Sequence, residues 1–242
     1  MVKNPIPIDA FYLNPGRVLA GKYIVGDLLG SGWEGEVYRV TERTTGISRA
    51  MKLFFPQRNL KDRAVRFYAT KLHRLRHCSA VIQYHHSDTF TFQRAKITFL
   101  ISDLVEGKIL SDFIASQSGK RLQPYEALHL LNALATGIEQ IHCVREYHGD
   151  IHDGNILVTR SGIRFNVKLV DFYQWGRPDS AKIKEDVIDL VRILFDAVGG
   201  RKHYAKQPRM IKDICCGLKR GLITKKFPTA SRLRAHLESF EW

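Results

Sequence analysis

Cysteine is scarce in this chain, and acidic residues are outnumbered by basic ones. The four cysteines, Cys78, Cys143, Cys215 and Cys216, form no C-x-x-C pair and stand at no Cys/His metal-ligand spacing. That removes a disulfide-stapled module and a structural metal site as starting points, and makes the reducing cytoplasm the expected compartment. No window reaches the roughly 18 apolar residues of a membrane span. The opening MVKNPIPIDAFYLNPG puts prolines and an aspartate where a signal peptide needs an apolar run. Internal repeats and low-complexity segments are absent too. With 44% hydrophobic and 26% charged residues, the composition is that of a soluble globular chain and not a disordered one.

Lys and Arg number 38 against 24 Asp and Glu, so the net charge is 38 − 24 = +14. Such an excess favours anionic partners: nucleotides, nucleic acid, acidic protein or anionic lipid. It is concentrated in two places. Arg58, Lys61, Arg63, Arg66, Lys71, Arg74 and Arg76 are opposed locally only by Asp62, and Asp213 is the only acid between Arg201 and Lys226. A solvated face is the expected role of both, and either could offer a surface to an anionic partner. No recognised nucleic-acid motif accompanies the charge, so nucleic acid is not the expected partner.

At 242 residues the chain suits one large domain or two lobes. Residues 1–20, with Pro5, Pro7 and Pro15, read as an extended N-terminal lead-in. Short strand-like runs follow, KYIVGDLLG, EVYRV and ISRAMKLFF, separated by glycine-containing turns. Ala64, Val65, Tyr68, Leu72 and Leu75 recur at helical steps within 60–77, and AVIQYHH and AKITFLISD are further strand candidates. Beyond Gly107 the periodicity is helical. EALHLLNALATGIEQIHCV follows Pro124, NVKLVDF suggests a strand, and KEDVIDLVRILFDAV ends at Gly199-Gly200. Two final helical segments are expected around 208–220 and 229–240. The predicted class is α+β and bilobal: an antiparallel-sheet lobe over 21–105, a mainly helical lobe over 106–242, and a cleft between them.

Within the first strand pair lies Gly30-Ser31-Gly32-Trp33-Glu34-Gly35-Glu36-Val37, a full G-x-G-x-x-G-x-V. Glycines at this spacing let backbone amides approach phosphates closely. The bare pattern suits a plain glycine-rich hairpin equally well. A dinucleotide-binding version would continue into a helix, whereas EVYRV reads as a strand. Further on, Lys52 stands in the apolar strand Ala50-Met51-Lys52, and taken alone would be a snorkelling strand-edge lysine.

The densest polar cluster is His148-Gly149-Asp150-Ile151-His152-Asp153-Gly154-Asn155, followed at once by Ile156-Leu157-Val158. Polar residues packed against an apolar run suggest a chemical loop at the mouth of a buried strand. This segment resembles the catalytic loop H-x-D-x-x-x-x-N of protein kinases, and Asp171-Phe172 resembles the start of their D-F-G. Together with the glycine loop and Lys52, the chain from about Lys22 to Trp242 resembles a compact, bacterial-style member of the protein-kinase-like superfamily. The resemblance implies ATP and Mg²⁺ as cofactors. It makes Gly30, Ser31, Gly32, Gly35, Val37 and Ala50 nucleotide-binding residues and Lys52 the phosphate contact. Asp103 to Val105, in LISDLVEGKIL, would offer backbone groups to adenine. Asp150 becomes the catalytic base or orienter, Asn155 and Asp171 the metal ligands, and His148 a support for the loop.

Four departures qualify the likeness. The helix position of the glutamate that normally pairs with the strand lysine falls on Tyr68, leaving Glu34 or Glu36 as substitutes. Tyr173 replaces the D-F-G glycine. His152 stands where protein kinases place a lysine, so that HGDIHDGN is closer to the H-G-D-x-H-x-G-N loop of aminoglycoside phosphotransferases. Asp186 resembles the anchoring aspartate of the long C-lobe helix, yet only residues 172–185 separate it from Asp171, too few for an ordinary activation segment with its A-P-E motif. Phe227 stands where the arginine partner of that motif would be. The expected activity is phosphoryl transfer to Ser/Thr of a partner protein or of the chain itself. A small-molecule kinase, which usually carries more chain after Gly200, and a nucleotide-binding pseudokinase scaffold are the alternatives.

Overall fold

The computed structural model describes residues 7–172 and 176–240. These fall into two compact units, one formed by Met1–Arg76 with Ile82–Val105 and the other by His77–Val81 with Glu106–Trp242. The first is built on an antiparallel sheet and the second is mainly helical, as the periodicities predict.

In the first unit the strands are β1 (Val18–Leu19), β2 (Tyr23–Ser31), β3 (Gly35–Glu42), β4 (Ser48–Phe54), β5 (Tyr84–Phe92) and β6 (Ala95–Asp103). Their order in the sheet is β1-β2-β3-β4-β6-β5. Alternation assigns the two faces. Tyr38, Val40, Met51, Leu53, Phe99 and Ile101 point into one core, all at most 3% exposed, each stabilising the fold by about 1.5–3 kcal/mol. Val37 and Lys52 are register partners, as are Lys52 and Leu100, and Ala50 and Ser102, so these residues share the opposite face.

The stretch before β1 does more than lead in. Ile8, Phe11 and Leu13 join the core cluster on the first face. Phe11 stacks on Phe55 at 5.4 Å and meets Phe92 edge-on at 5.5 Å, while Gln57 grips Ile8 through both its backbone groups. Helix α1 (Arg63–Arg74) belongs to the same unit and packs on β5 and β6. Its basic run is solvated except at Lys71, which is 4% exposed with its ammonium 5.4 Å from the Phe67 ring. The aliphatic stem has followed the helix's apolar stripe inward.

The AVIQYHH candidate is not one strand. Pairing in β5 begins at Tyr84, whereas Val81 bridges Leu169 in parallel and Leu169 donates to Ala80 O at 2.7 Å, within the second unit. Gly137 permits this, because a Cβ there would lie 2.5 Å from that of Ala80.

The second unit comprises α2 (Leu110–Ala115), α3 (Pro124–Cys143), α4 (Ser180–Ala197), α5 (Gly200–Tyr204), α6 (Arg209–Cys215), α7 (Arg220–Lys226) and α8 (Ala230–Glu238). A small antiparallel sheet adds β7 (Lys108–Ile109), β8 (Ile156–Ser161) and β9 (Arg164–Leu169). Pro124 opens α3 with a capping box between Gln123 and Glu126, and the helix packs on α4, α8 and β9. The helix expected around 208–220 is instead two, because Cys216, Gly217 and Leu218 take left-handed φ of 49°, 60° and 57°. No described helix is long and apolar enough to cross a membrane.

Candidate active site

The candidate side chains form two groups, one in each unit. In the first, Gly30 pairs with Val37 and Ser31 with Glu36, and Gly32 closes the turn by donating to Gly35 O at 2.9 Å. Register shifts between Val25, Leu28 and Gly30 carry the end of β2 off the core, leaving Asp27 to Ser31 exposed. The glycines differ in what the fold demands of them. A Cβ on Gly35 would lie 1.8 Å from Leu53 O, so that glycine is needed to pair β3 with β4. A Cβ on Gly30 or Gly32 would meet no protein atom within 4 Å, so the fold does not require glycine at either position.

Lys52 projects from the face it shares with Val37 and Ala50. Its Nζ lies 3.2 Å from Glu34 Oε2 and 4.1 Å from the centre of the Tyr68 ring. The helix position opposite Lys52 is thus Tyr68, and the carboxylate comes from the glycine loop. Glu36, the other candidate, is committed elsewhere: its buried Oε2 accepts from Tyr38 Oη at 2.7 Å and from the Phe11 amide at 3.2 Å. Burial and that hydrogen bond push the Tyr38 phenol up to about 12. Asp103 ends β6. Its amide donates to Gln83 O at 3.0 Å and its Oδ1 takes Arg49 and His85 at 3.3 and 2.7 Å, while Leu104 and Val105 continue half-buried.

In the second unit, the loop of Asp150 hangs from a helix. Asp186 of α4, fully buried, accepts the amides of His148 and Gly149, each at 2.8 Å, and faces His142 Nε2 at 3.0 Å. The His148 ring is equally buried, bonded to Val170 O at 3.1 Å and packed 4.5 Å from the Phe172 ring. Asn155 Nδ2 donates to both Asp150 O and Asp150 Oδ2 at 3.0 Å, fixing the two side chains on each other. The Val170 amide donates to Asn155 O at 3.0 Å, which brings Asn155 alongside the end of β9, where Asp171 follows at a left-handed φ of 54°. His152 Nδ1 accepts from Gly154 N at 3.1 Å, leaving Nε2 3.7 Å from Asp150 Oδ2. Tyr173 lies outside the described residues.

The donor chemistry suits magnesium. Asp171 and Asn155 offer hard oxygens, one carboxylate and one amide, as Mg²⁺ takes when it also keeps water and phosphate ligands. No cluster of three or more His, Cys, Asp or Glu that could hold a metal occurs among the described residues. Sequence reasoning singled out the glycine loop, Lys52, Tyr68, Asp103, the His148–Asn155 loop, Asp171 and Asp186; it missed the supporting residues Phe11, Tyr38, Arg49, His85 and His142, which nothing in the local pattern distinguishes from ordinary packing or surface residues.

The protein kinase domain model matches residues 23–182. The chain therefore belongs to the protein kinase domain family. Among curated relatives it is 28% identical over 159 residues to a probable serine/threonine-protein kinase of Streptomyces coelicolor, covering 64% of this chain and 23% of that one. It is 29% identical over 155 residues to death-associated protein kinase 2 of Homo sapiens, covering 62% and 40%, and 30% identical over 148 residues to serine/threonine-protein kinase STK11 of Rattus norvegicus, covering 60% and 33%. The chain thus spans well under half the length of these relatives.

Proposed function

We propose that this protein transfers the γ-phosphoryl group of ATP, with Mg²⁺, to Ser/Thr hydroxyls of a partner protein or of itself. The observation that carries this reading is the Asp150–Asn155 pair: one amide nitrogen holds both the backbone and the carboxylate of Asp150, in a loop suspended from buried Asp186. Phosphoryl transfer asks the protein mainly for positioning and charge stabilisation, and this arrangement serves both.

Bound ATP supplies the phosphoryl group, and Mg²⁺ neutralises charge on its phosphates. Gly30, Ser31, Gly32 and Gly35 cover the phosphates with backbone amides, with Lys52 as their point charge. Val37 and Ala50 line the adenine, and Asp103 to Val105 present it with backbone groups. Asn155 Oδ1 and the Asp171 carboxylate hold the metal. Asp150 Oδ1, the oxygen not bonded to Asn155, orients the acceptor hydroxyl and takes its proton.

The test is incubation of the purified protein with γ-labelled ATP, Mg²⁺ and generic protein acceptors. Label in protein is the expected result. ATP turnover without protein label would shift the reading to a small-molecule acceptor, which the likeness of HGDIHDGN favours, and ATP binding without turnover would leave a scaffold.

A further inference from the structure

Helix α1 carries no acidic residue between Arg63 and Arg74. At the position opposite Lys52 it presents Tyr68, 5% exposed, whose ring receives the ammonium at 4.1 Å. The carboxylate at 3.2 Å belongs to Glu34, between Gly32 and Gly35. Its backbone is pinned as well, since Glu34 O accepts the Phe55 amide at 2.9 Å beside the end of β4. The two side chains are only 14% and 19% exposed, so the pair is less screened than a surface ion pair.

We propose that Glu34 is the positioning residue of Lys52. The glycine loop, rather than helix α1, holds the phosphate-contacting lysine in place, and the Tyr68 ring forms an uncharged floor beneath it. An ammonium has three N–H donors, so one carboxylate orients the group without exhausting it. Lysine orientation and loop placement then become one event, and the Glu34–Lys52 pair includes no residue of α1. This rests on the ATP reading above. A Glu34 that competed with phosphates for the ammonium would give the opposite result, tighter nucleotide binding on its removal.

The experiment is Mg-ATP affinity by calorimetry on the full chain, with a thermal melt confirming folding, for wild type, Lys52→Ala, Glu34→Gln, Tyr68→Phe and the double variant Glu34→Gln/Tyr68→Glu. The proposal predicts about tenfold weaker binding for Glu34→Gln, equivalent to about 1.4 kcal/mol. Tyr68→Phe, which keeps the ring face, should stay within about twofold of wild type. A carboxylate supplied from the helix in the double variant should recover affinity, which a merely structural role for Glu34 would not produce. Unchanged or tighter binding by Glu34→Gln overturns the proposal. With Lys52→Ala weakened, that result leaves the ATP reading intact; with Lys52→Ala also unchanged, the ATP reading falls as well. Glu34→Gln is isosteric and partly exposed, so the decisive comparison does not depend on the double variant folding.

Discussion

The buried carboxylate of Asp186 accepts the backbone amide of His148 at 2.8 Å. With Gly149 on its other oxygen and His142 beside it, this one side chain satisfies two loop amides and ties the start of HGDIHDGN to α4. Replacing it strands those donors away from water. Asp186→Ala should cost about 3 kcal/mol and Asp186→Asn somewhat less, because an amide offers a single acceptor. Denaturant unfolding of the three proteins measures this, and equal midpoints would contradict it.

The two kinds of glycine in the loop should separate experimentally. Gly35→Ala forces a Cβ against Leu53 O, and should destabilise the first unit by about 3 kcal/mol. Gly32→Ala has room and should fold with a wild-type melting temperature while binding Mg-ATP less well. A Gly32→Ala protein that melts early would show that the fold itself requires that glycine.

Much of this was legible because it is local. Gly30 to Val37, Lys52, and His148 to Asn155 each lie in one short segment, where residue type and spacing already carry the chemistry. Helix α3 was readable from Pro124 and its stripe for the same reason. What stayed hidden depends on pairings distant in sequence. Glu34 and Glu36 were equivalent candidates for Lys52, and only the fold separates them, by giving Glu36 to Tyr38 and Phe11. AVIQYHH reads as one strand because its residues favour extended chain, yet Val81 and Tyr84 pair in different units. The break after α6 hides in Cys216 and Leu218, residue types that seldom signal a left-handed turn.

Phe11 illustrates the same point for stability. It stands among prolines in an irregular stretch, yet it is 2% exposed and packs between Phe55 and Phe92. Phe11→Ala should cost about 3 kcal/mol, read from thermal or denaturant unfolding. A variant as stable as wild type would mean that this segment does not contribute to the core.

Stability should also respond to pH through Asp189. Burial, then the neighbouring Glu185 charge, push its carboxyl from 3.8 up to about 6, against the pull of Arg192. The folded protein therefore holds this proton more tightly than the unfolded chain. Its contribution is fully present below the unfolded value and is lost as pH rises through about 6. Asp189→Asn removes the penalty of the buried charge. It should exceed wild type in stability at neutral pH by on the order of 1 kcal/mol, with the difference vanishing in acid. A constant difference across that range would rule out titration as its cause.

The most direct measurement is intact-mass analysis and γ-label transfer after incubation with ATP and Mg²⁺, comparing wild type with Asp150→Ala. The side chain of Asp150 is 50% exposed, so its removal should leave the melting temperature and Mg-ATP affinity close to wild type. Wild type should incorporate phosphate, into itself or an added protein, and the variant at least about a hundredfold less, in line with loss of a positioned acid–base group. Equal incorporation by both proteins would contradict the assignment of Asp150 and, with it, the catalytic reading of the loop.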